Sequence, residues 1–220
     1  MIKAVIFDMD GLMFSTESLA VDALVQAGTD ADIPVTRDDV YALIGSNRSD
    51  AQSILSKRLG RDVDYSALHE RSLAYIMHFI KKNGMPVKSG LYELLTALKA
   101  ADIPMTVATS SQKKTADAYF RAAGVTGFFP DYISGDRVSR GKPDPEIYLR
   151  AAALLGVATR ECCVLEDSGA GVESACRAGA QCVLVPDLIP AEKIPFASKA
   201  VVVKTLLDAK SHIFSQFTKK

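Results

Sequence analysis

Two aspartates, Asp8 and Asp10, close the run Ile2-Lys3-Ala4-Val5-Ile6-Phe7 and are followed at once by Gly11. Carboxylates this close together can divide labour, one attacking an electrophile or holding a cation while its neighbour moves a proton. They equally suit a turn, where aspartate side chains cap backbone N–H groups, so their meaning depends on partners elsewhere. Three further groups matter: Thr109-Ser110-Ser111, Lys142 in Gly141-Lys142-Pro143, and Glu166-Asp167-Ser168. Each has an ordinary reading of its own. Thr109 is a β-former at a strand end, Lys142 a solvated loop residue, and Glu166-Asp167 a helix N-cap with an acidic first turn.

The elements that would position these groups are legible as apolar runs. Ile2 to Phe7 reads as a buried parallel strand, and comparable runs are Ile103 to Ala108, Tyr132-Ile133, Cys162 to Leu165, Cys182 to Val185 and Ala200 to Val203. Helical signals lie between most of them. Leu91, Leu94, Leu95 and Leu98 mark one buried helical face, Gln112 to Ala123 stops at Gly124, and Asp144-Pro145 reads as an N-cap followed by proline at the first helical position. Strand and helix thus alternate from about residue 88 onward, which predicts a doubly wound, Rossmann-like α/β fold with helices on both faces of a parallel sheet.

Residues 15–85 break the alternation. Helix signals follow one another without strands: Thr16 to Ala27, a cap-like Thr36 to Asp39, Asp50 to Leu59 before Gly60, and Ser66 to Lys82 before Gly84, the last with a stripe of Leu73, Ile76, Met77 and Ile80. The expected division is therefore a core of residues 1–14 and 86–220 and an inserted helical domain of residues 15–85, joined by flexible crossings near Leu12–Thr16 and Asn83–Gly90. In a parallel sheet, ligands bind beyond the carboxyl ends of the strands. Asp8, Asp10, Thr109, Lys142, Glu166 and Asp167 should meet at that edge.

Composition narrows the field further. The 26 basic and 26 acidic residues balance, so no overall field draws the protein to nucleic acid or an anionic membrane, and any anion site is local. No apolar run approaches the roughly 20 residues that span a bilayer; a cytoplasmic, monomeric protein is expected. Cys162, Cys163, Cys176 and Cys182 lack metal-like spacing and read as reduced core thiols. Carboxylates gathered at one edge repel each other, and a hard divalent ion with oxygen ligands relieves this, magnesium suiting a site completed by phosphate and water. With Lys142 and the donors around Thr109 and Ser110 facing phosphate oxygens, the set is one for phosphoryl transfer.

The segments Asp8-Met9-Asp10-Gly11, Ala108-Thr109-Ser110-Ser111, Gly141-Lys142-Pro143-Asp144-Pro145-Glu146 and Glu166-Asp167-Ser168-Gly169-Ala170-Gly171 occur in an order that resembles the haloacid dehalogenase superfamily. The resemblance spans nearly the whole chain and is to the subgroup of small phosphatases and β-phosphoglucomutases with a helical, C1-type cap. It implies that Asp8 attacks phosphorus to give an aspartyl-phosphate, and that Asp10 protonates the leaving oxygen and later activates water. It implies magnesium held by the Asp8 and Asp167 carboxylates and the Asp10 carbonyl, with Glu166 in support. Met9, Thr109 and Ser110 would bind phosphate, and Lys142 would neutralise charge on Asp8 and the phosphoryl oxygens.

Within Leu43 to Arg48, which resembles the family's specificity loop, Arg48 would meet a second anionic group on the substrate. Mutases of the subgroup usually carry a histidine where Ala20 stands here. The expectation is a magnesium-dependent phosphatase of a small phosphorylated metabolite, a sugar or nucleotide phosphate. A β-phosphoglucomutase-like isomerase is the alternative. A receiver-like phosphosignalling module comes third, since receivers are much shorter and carry no helical insertion.

Overall fold

The computed structural model describes residues 2–44 and 48–217, and of residues 48 and 49 the backbone. The chain forms two compact units, one of residues 1–15 and 86–220, the other of residues 16–85. In the first, β1 (Ala4–Phe7), β2 (Met105–Val107), β3 (Cys162–Glu166), β4 (Gln181–Leu184) and β5 (Val201–Val202) form one sheet in the order β2-β1-β3-β4-β5. Every pairing is parallel. The apolar residues of β1 and β3 are fully buried on both faces, as a central parallel strand requires.

Alternation sorts these side chains to two sides. Ala4, Ile6, Cys162, Val164, Cys182 and Leu184 share a core with α7 (Glu146–Leu154) and α8 (Gly169–Arg177). On the other side Phe7 meets Phe129, which packs in turn, tilted, against Phe120 of α6 (Lys113–Ala123). Also in this unit α5 (Leu91–Ala100) packs on α9 (Leu206–Gln216). The predicted stripe of Leu91, Leu94, Leu95 and Leu98 is fully buried, each side chain contributing about 1.5–3 kcal/mol by burial.

Register decides where the site lies. Phe7 is level with Val107 on one side and Leu165 on the other, while the Asp8 N–H donates to Leu165 O at 2.9 Å and the Ala108 N–H to Phe7 O at 2.8 Å. The residues that follow these strands, Asp8, Thr109 and Glu166-Asp167, therefore emerge at one carboxyl edge.

Several local expectations are corrected. Tyr132-Ile133 is no strand but a single bridge to Ala108, because Asp131 Oδ1 accepts the Tyr132 N–H at 2.8 Å and removes it from any ladder. Pro145 occupies the N-cap of α7 rather than its first turn; Asp144 still acts there, its carboxylate accepting the Glu146 N–H at 3.0 Å. Ser168, not Glu166-Asp167, caps α8, accepting the Gly171 N–H at 3.1 Å. The crossings expected to be flexible are bonded to each other: Ser15 N–H to Pro86 O at 2.8 Å, Lys88 N–H to Met13 O at 3.0 Å, with Phe14 bridging Val87. Leu12, Met13 and Phe14 are fully buried, and that burial favours the ordered path. Cys162, Cys163 and Cys182 are buried free thiols and Cys176 is partly buried.

In the second unit α1 (Thr16–Thr29) packs along α4 (Tyr65–Asn83), with α2 (Arg37–Tyr41) against α1 and α3 (Arg48–Leu59) against α4. Thr36 and Asp39 form a reciprocal capping box, and Arg58 holds Asp39 at 2.7 Å. The buried face of α4 is Leu68, Ser72, Ile76 and Ile80; Met77 is 36% exposed. The true stripe follows the i, i+4 row through a serine whose hydroxyl donates to His69 O, so apolar spacing alone misplaced it. Among the described residues no helix is long and apolar enough to cross a membrane.

Candidate active site

Asp8 is 6% exposed at the mouth of β1, and the Lys142 ammonium donates to its Oδ1 at 2.5 Å and to Glu166 Oε1 at 2.6 Å. Lys142 comes from the loop before α7, Asp8 and Glu166 from adjacent strands, so three separate segments meet in one buried cluster. Tyr148, in the first turn of α7, completes it. Its hydroxyl donates to Glu166 Oε1 at 2.6 Å and its ring lies 5.0 Å beneath the Lys142 ammonium. Glu166 Oε2 accepts from the Asp167 N–H, the Ser168 N–H and the Ser168 hydroxyl, each at 3.0 Å. Five donors on a fully buried carboxylate use up its roughly four lone-pair directions. Glu166 is thus committed to protein groups, and its part is to hold Lys142 and the start of α8.

Two glycines make room for these carboxylates. A Cβ on Gly171 would lie 1.7 Å from Glu166 Oε1, and one on Gly11 2.1 Å from Asp167 Oδ2. Gly11 also has φ +81°, a conformation that other residues adopt only with strain. Asp167 is therefore brought against the loop that carries Asp8 and Asp10.

Asp10 has different company. Its Oδ2 accepts from the Ser111 hydroxyl at 2.8 Å and lies 3.5 Å from the Thr109 hydroxyl, which itself accepts the Ser111 N–H at 3.0 Å. Thr109 is buried and Ser110 exposed. The Met9 side chain is fully buried and its carbonyl accepts from Met13 and Phe14, so it is the backbone N–H that Met9 could offer a ligand. The Arg48 side chain lies outside the described residues, as do residues 45–47 of the loop before it.

Electrostatics separate these groups. Burial pushes the Asp8 carboxyl up to about 8, with Lys142 pulling against it and Glu166 and Asp10 adding to the rise. Burial also disfavours the Glu166 anion, but Lys142 outweighs it and the carboxyl sits below the usual range. For the Lys142 ammonium, burial is likewise outweighed, here by Asp8 and Glu166, and it stays charged. Four carboxyl groups, those of Asp8, Asp10, Glu166 and Asp167, stand at this edge with Lys142, so ionising them all calls for more positive charge than one lysine supplies. The donor set is hard oxygen throughout, which fits a magnesium ion and not a thiophilic metal. Among the described residues no three His, Cys, Asp or Glu side chains form a ready-made metal cluster.

Sequence reasoning overlooked Tyr148, and it named Ser111 and Ser168 among the strand-end groups without giving either a role of its own. Tyr148 reads as an ordinary core aromatic. Ser111, two residues after Thr109 at the end of the same strand, carried a usable signal in its position.

A model of the haloacid dehalogenase-like hydrolase family matches residues 2–179, and the chain belongs to that family. Within it the chain falls among β-phosphoglucomutase-like members. It is 32% identical to a phosphorylated carbohydrates phosphatase of Thermotoga maritima, over 80% of this chain and 82% of that protein. It is 30% identical to the β-phosphoglucomutase of Bacillus subtilis over 80% of each. Against the SUPPRESSOR OF QUENCHING 1 protein of Arabidopsis thaliana it is 34% identical over 84% of this chain, yet spans only 18% of that relative. A HAD hydrolase of Entamoeba histolytica shares the fold, with TM-score 0.82 at 24% identity, covering 94% of this chain and 95% of that one.

Proposed function

We propose that this protein is a magnesium-dependent phosphatase of small phosphorylated metabolites, of the sugar phosphate class, working through an aspartyl-phosphate on Asp8. That it is a hydrolase of phosphate monoesters accords with relatives named as phosphatases. The observation that carries the mechanism is the unequal environment of the two aspartates: Asp8 on the Lys142 ammonium, Asp10 on hydroxyl groups. Two carboxylates in contrasting surroundings take different roles. Burial disfavours the Asp8 anion, and Lys142 together with bound magnesium would offset that and keep the carboxylate ready for in-line attack on phosphorus, while the partly exposed Asp10 carboxyl can give its proton to the ester oxygen and later take one from water.

In this reading Lys142 balances charge on Asp8 and the phosphoryl oxygens, and Thr109, Ser110 and the Met9 N–H bind phosphate. Asp8, the Asp10 carbonyl and Asp167 would hold magnesium, which supplies charge neutralisation to the phosphoryl group. Glu166 fixes Lys142. The helical unit acts as a cap, and Arg48 meets a second anionic group on the substrate.

The mutase reading retains one observation, the resemblance to the Bacillus subtilis enzyme. Ala20 weighs against it, since no imidazole stands there. A panel of phosphorylated metabolites assayed with magnesium separates the two. Phosphate release across several sugar phosphates, lost in Asp8→Asn, supports the phosphatase; conversion of a hexose 1-phosphate to its 6-phosphate with a bisphosphate primer would replace it.

A further inference from the structure

The phosphatase reading gives Ser111 no role of its own, yet its hydroxyl approaches Asp10 Oδ2 to 2.8 Å, closer than the 3.5 Å of Thr109. Its backbone is fixed on both sides: the N–H donates to Thr109 Oγ1 at 3.0 Å, the carbonyl accepts the Gly135 N–H at 2.9 Å, and the next residue, Gln112, caps α6. Asp10 lies in a short loop closed by the Gly11 N–H to Phe14 O at 2.9 Å. A rigid donor thus meets a carboxylate on a short connecting loop, in the arrangement by which one residue sets the orientation of another.

We infer that Ser111 is a positioning residue for the proton-transfer step, its hydroxyl holding Oδ2 of Asp10 and so fixing the orientation of that carboxyl. The inference rests on the phosphatase reading. There an Asp8 oxygen forms a bond to phosphorus, the bond from phosphorus to the ester oxygen breaks with its electron pair going to that oxygen, and the Asp10 proton moves onto it. An alkoxide leaving group needs that proton. A nitrophenolate, a far weaker base, leaves without it, so misplacing Asp10 slows the first ester and spares the second.

The test compares kcat/KM, which reports the steps up to the first phosphoryl transfer, for nitrophenyl phosphate and for the best alkyl phosphate substrate. Ser111→Ala is expected to lower the alkyl value by about 10–100-fold, part of the 10²–10⁴ typical of general acid catalysis, and to leave the aryl value within about threefold. Ser111→Thr, which keeps a hydroxyl, should restore the alkyl activity. In an Asp10→Asn background Ser111→Ala should add no further loss. Equal losses on both esters would mean that the hydroxyl serves phosphate binding and would overturn the inference, as would an additive loss in the Asp10→Asn background. Thermal melting of both Ser111 variants, expected to match the wild type, separates these outcomes from misfolding. Hydrolysis that survives Asp8→Asn, or none by the wild type, overturns the phosphatase reading and this inference with it, whereas a flat leaving-group response overturns the role of Ser111 alone.

Discussion

Lys142 ties the candidate site together, because its ammonium is shared between two carboxylates from neighbouring strands. Removing it leaves Asp8 and Glu166 buried without their cation, and breaking a buried pair in this way typically costs about 3–5 kcal/mol. Lys142→Met should therefore lower stability by that order in urea unfolding without metal, and lower kcat by at least about 10²-fold, the loss seen on removing a donor to developing charge. Tyr148 makes a separable contribution. Tyr148→Phe keeps the ring under Lys142 and deletes one donor to a buried carboxylate, so unfolding should become easier by about 1.5–3 kcal/mol. An unchanged midpoint would mean that the Tyr148–Glu166 bond adds nothing to stability.

At the scale of elements, strand register does the assembling, and much of that was legible beforehand. The apolar runs identify β1, β2, β3, β4 and β5, and the leucine spacing identifies α5, because a buried strand or helix face leaves a period in the sequence. The carboxyl-edge rule then gathers Asp8, Thr109 and Glu166-Asp167 without any coordinates. What escaped reading is where polar groups, not periodicity, decide: Asp131 ending the Tyr132 pairing, Ser168 rather than Glu166 capping α8, and Ser72 on the buried face of α4. Tyr148 escaped because a core aromatic and a carboxylate donor look alike in one dimension. Gly171 shows how an element constrains a residue. A methyl there would overlap the Glu166 carboxylate while suiting the helix better than glycine. Gly171→Ala should keep helical circular dichroism and reduce kcat by about tenfold or more, one unit of about 1.4 kcal/mol in barrier. Full activity would show that Glu166 can move without consequence.

For the molecule as a whole, one compact unit carries the carboxylate edge and another carries the helices proposed to act as a cap. An ion bound to the folded state alone stabilises it by mass action, about 2.7 kcal/mol at a concentration 100 times the dissociation constant. Magnesium should thus raise the melting temperature and chelation reverse it, with Asp167→Asn abolishing the shift even where its fold is intact. A melting curve indifferent to magnesium in the wild type would count against the ligand set of Asp8, Asp10 and Asp167.

The central claim is that Asp8 takes the phosphoryl group, and peptide mass analysis tests it most directly. The Asp10→Asn protein, slowed in releasing phosphate, is mixed briefly with nitrophenyl phosphate and magnesium and quenched in acid, with Asp8→Asn as the control. The account predicts a phosphoryl group on Asp8 and none in the control. A phosphoryl group on another residue, or hydrolysis by Asp8→Asn at the wild-type rate, would contradict it.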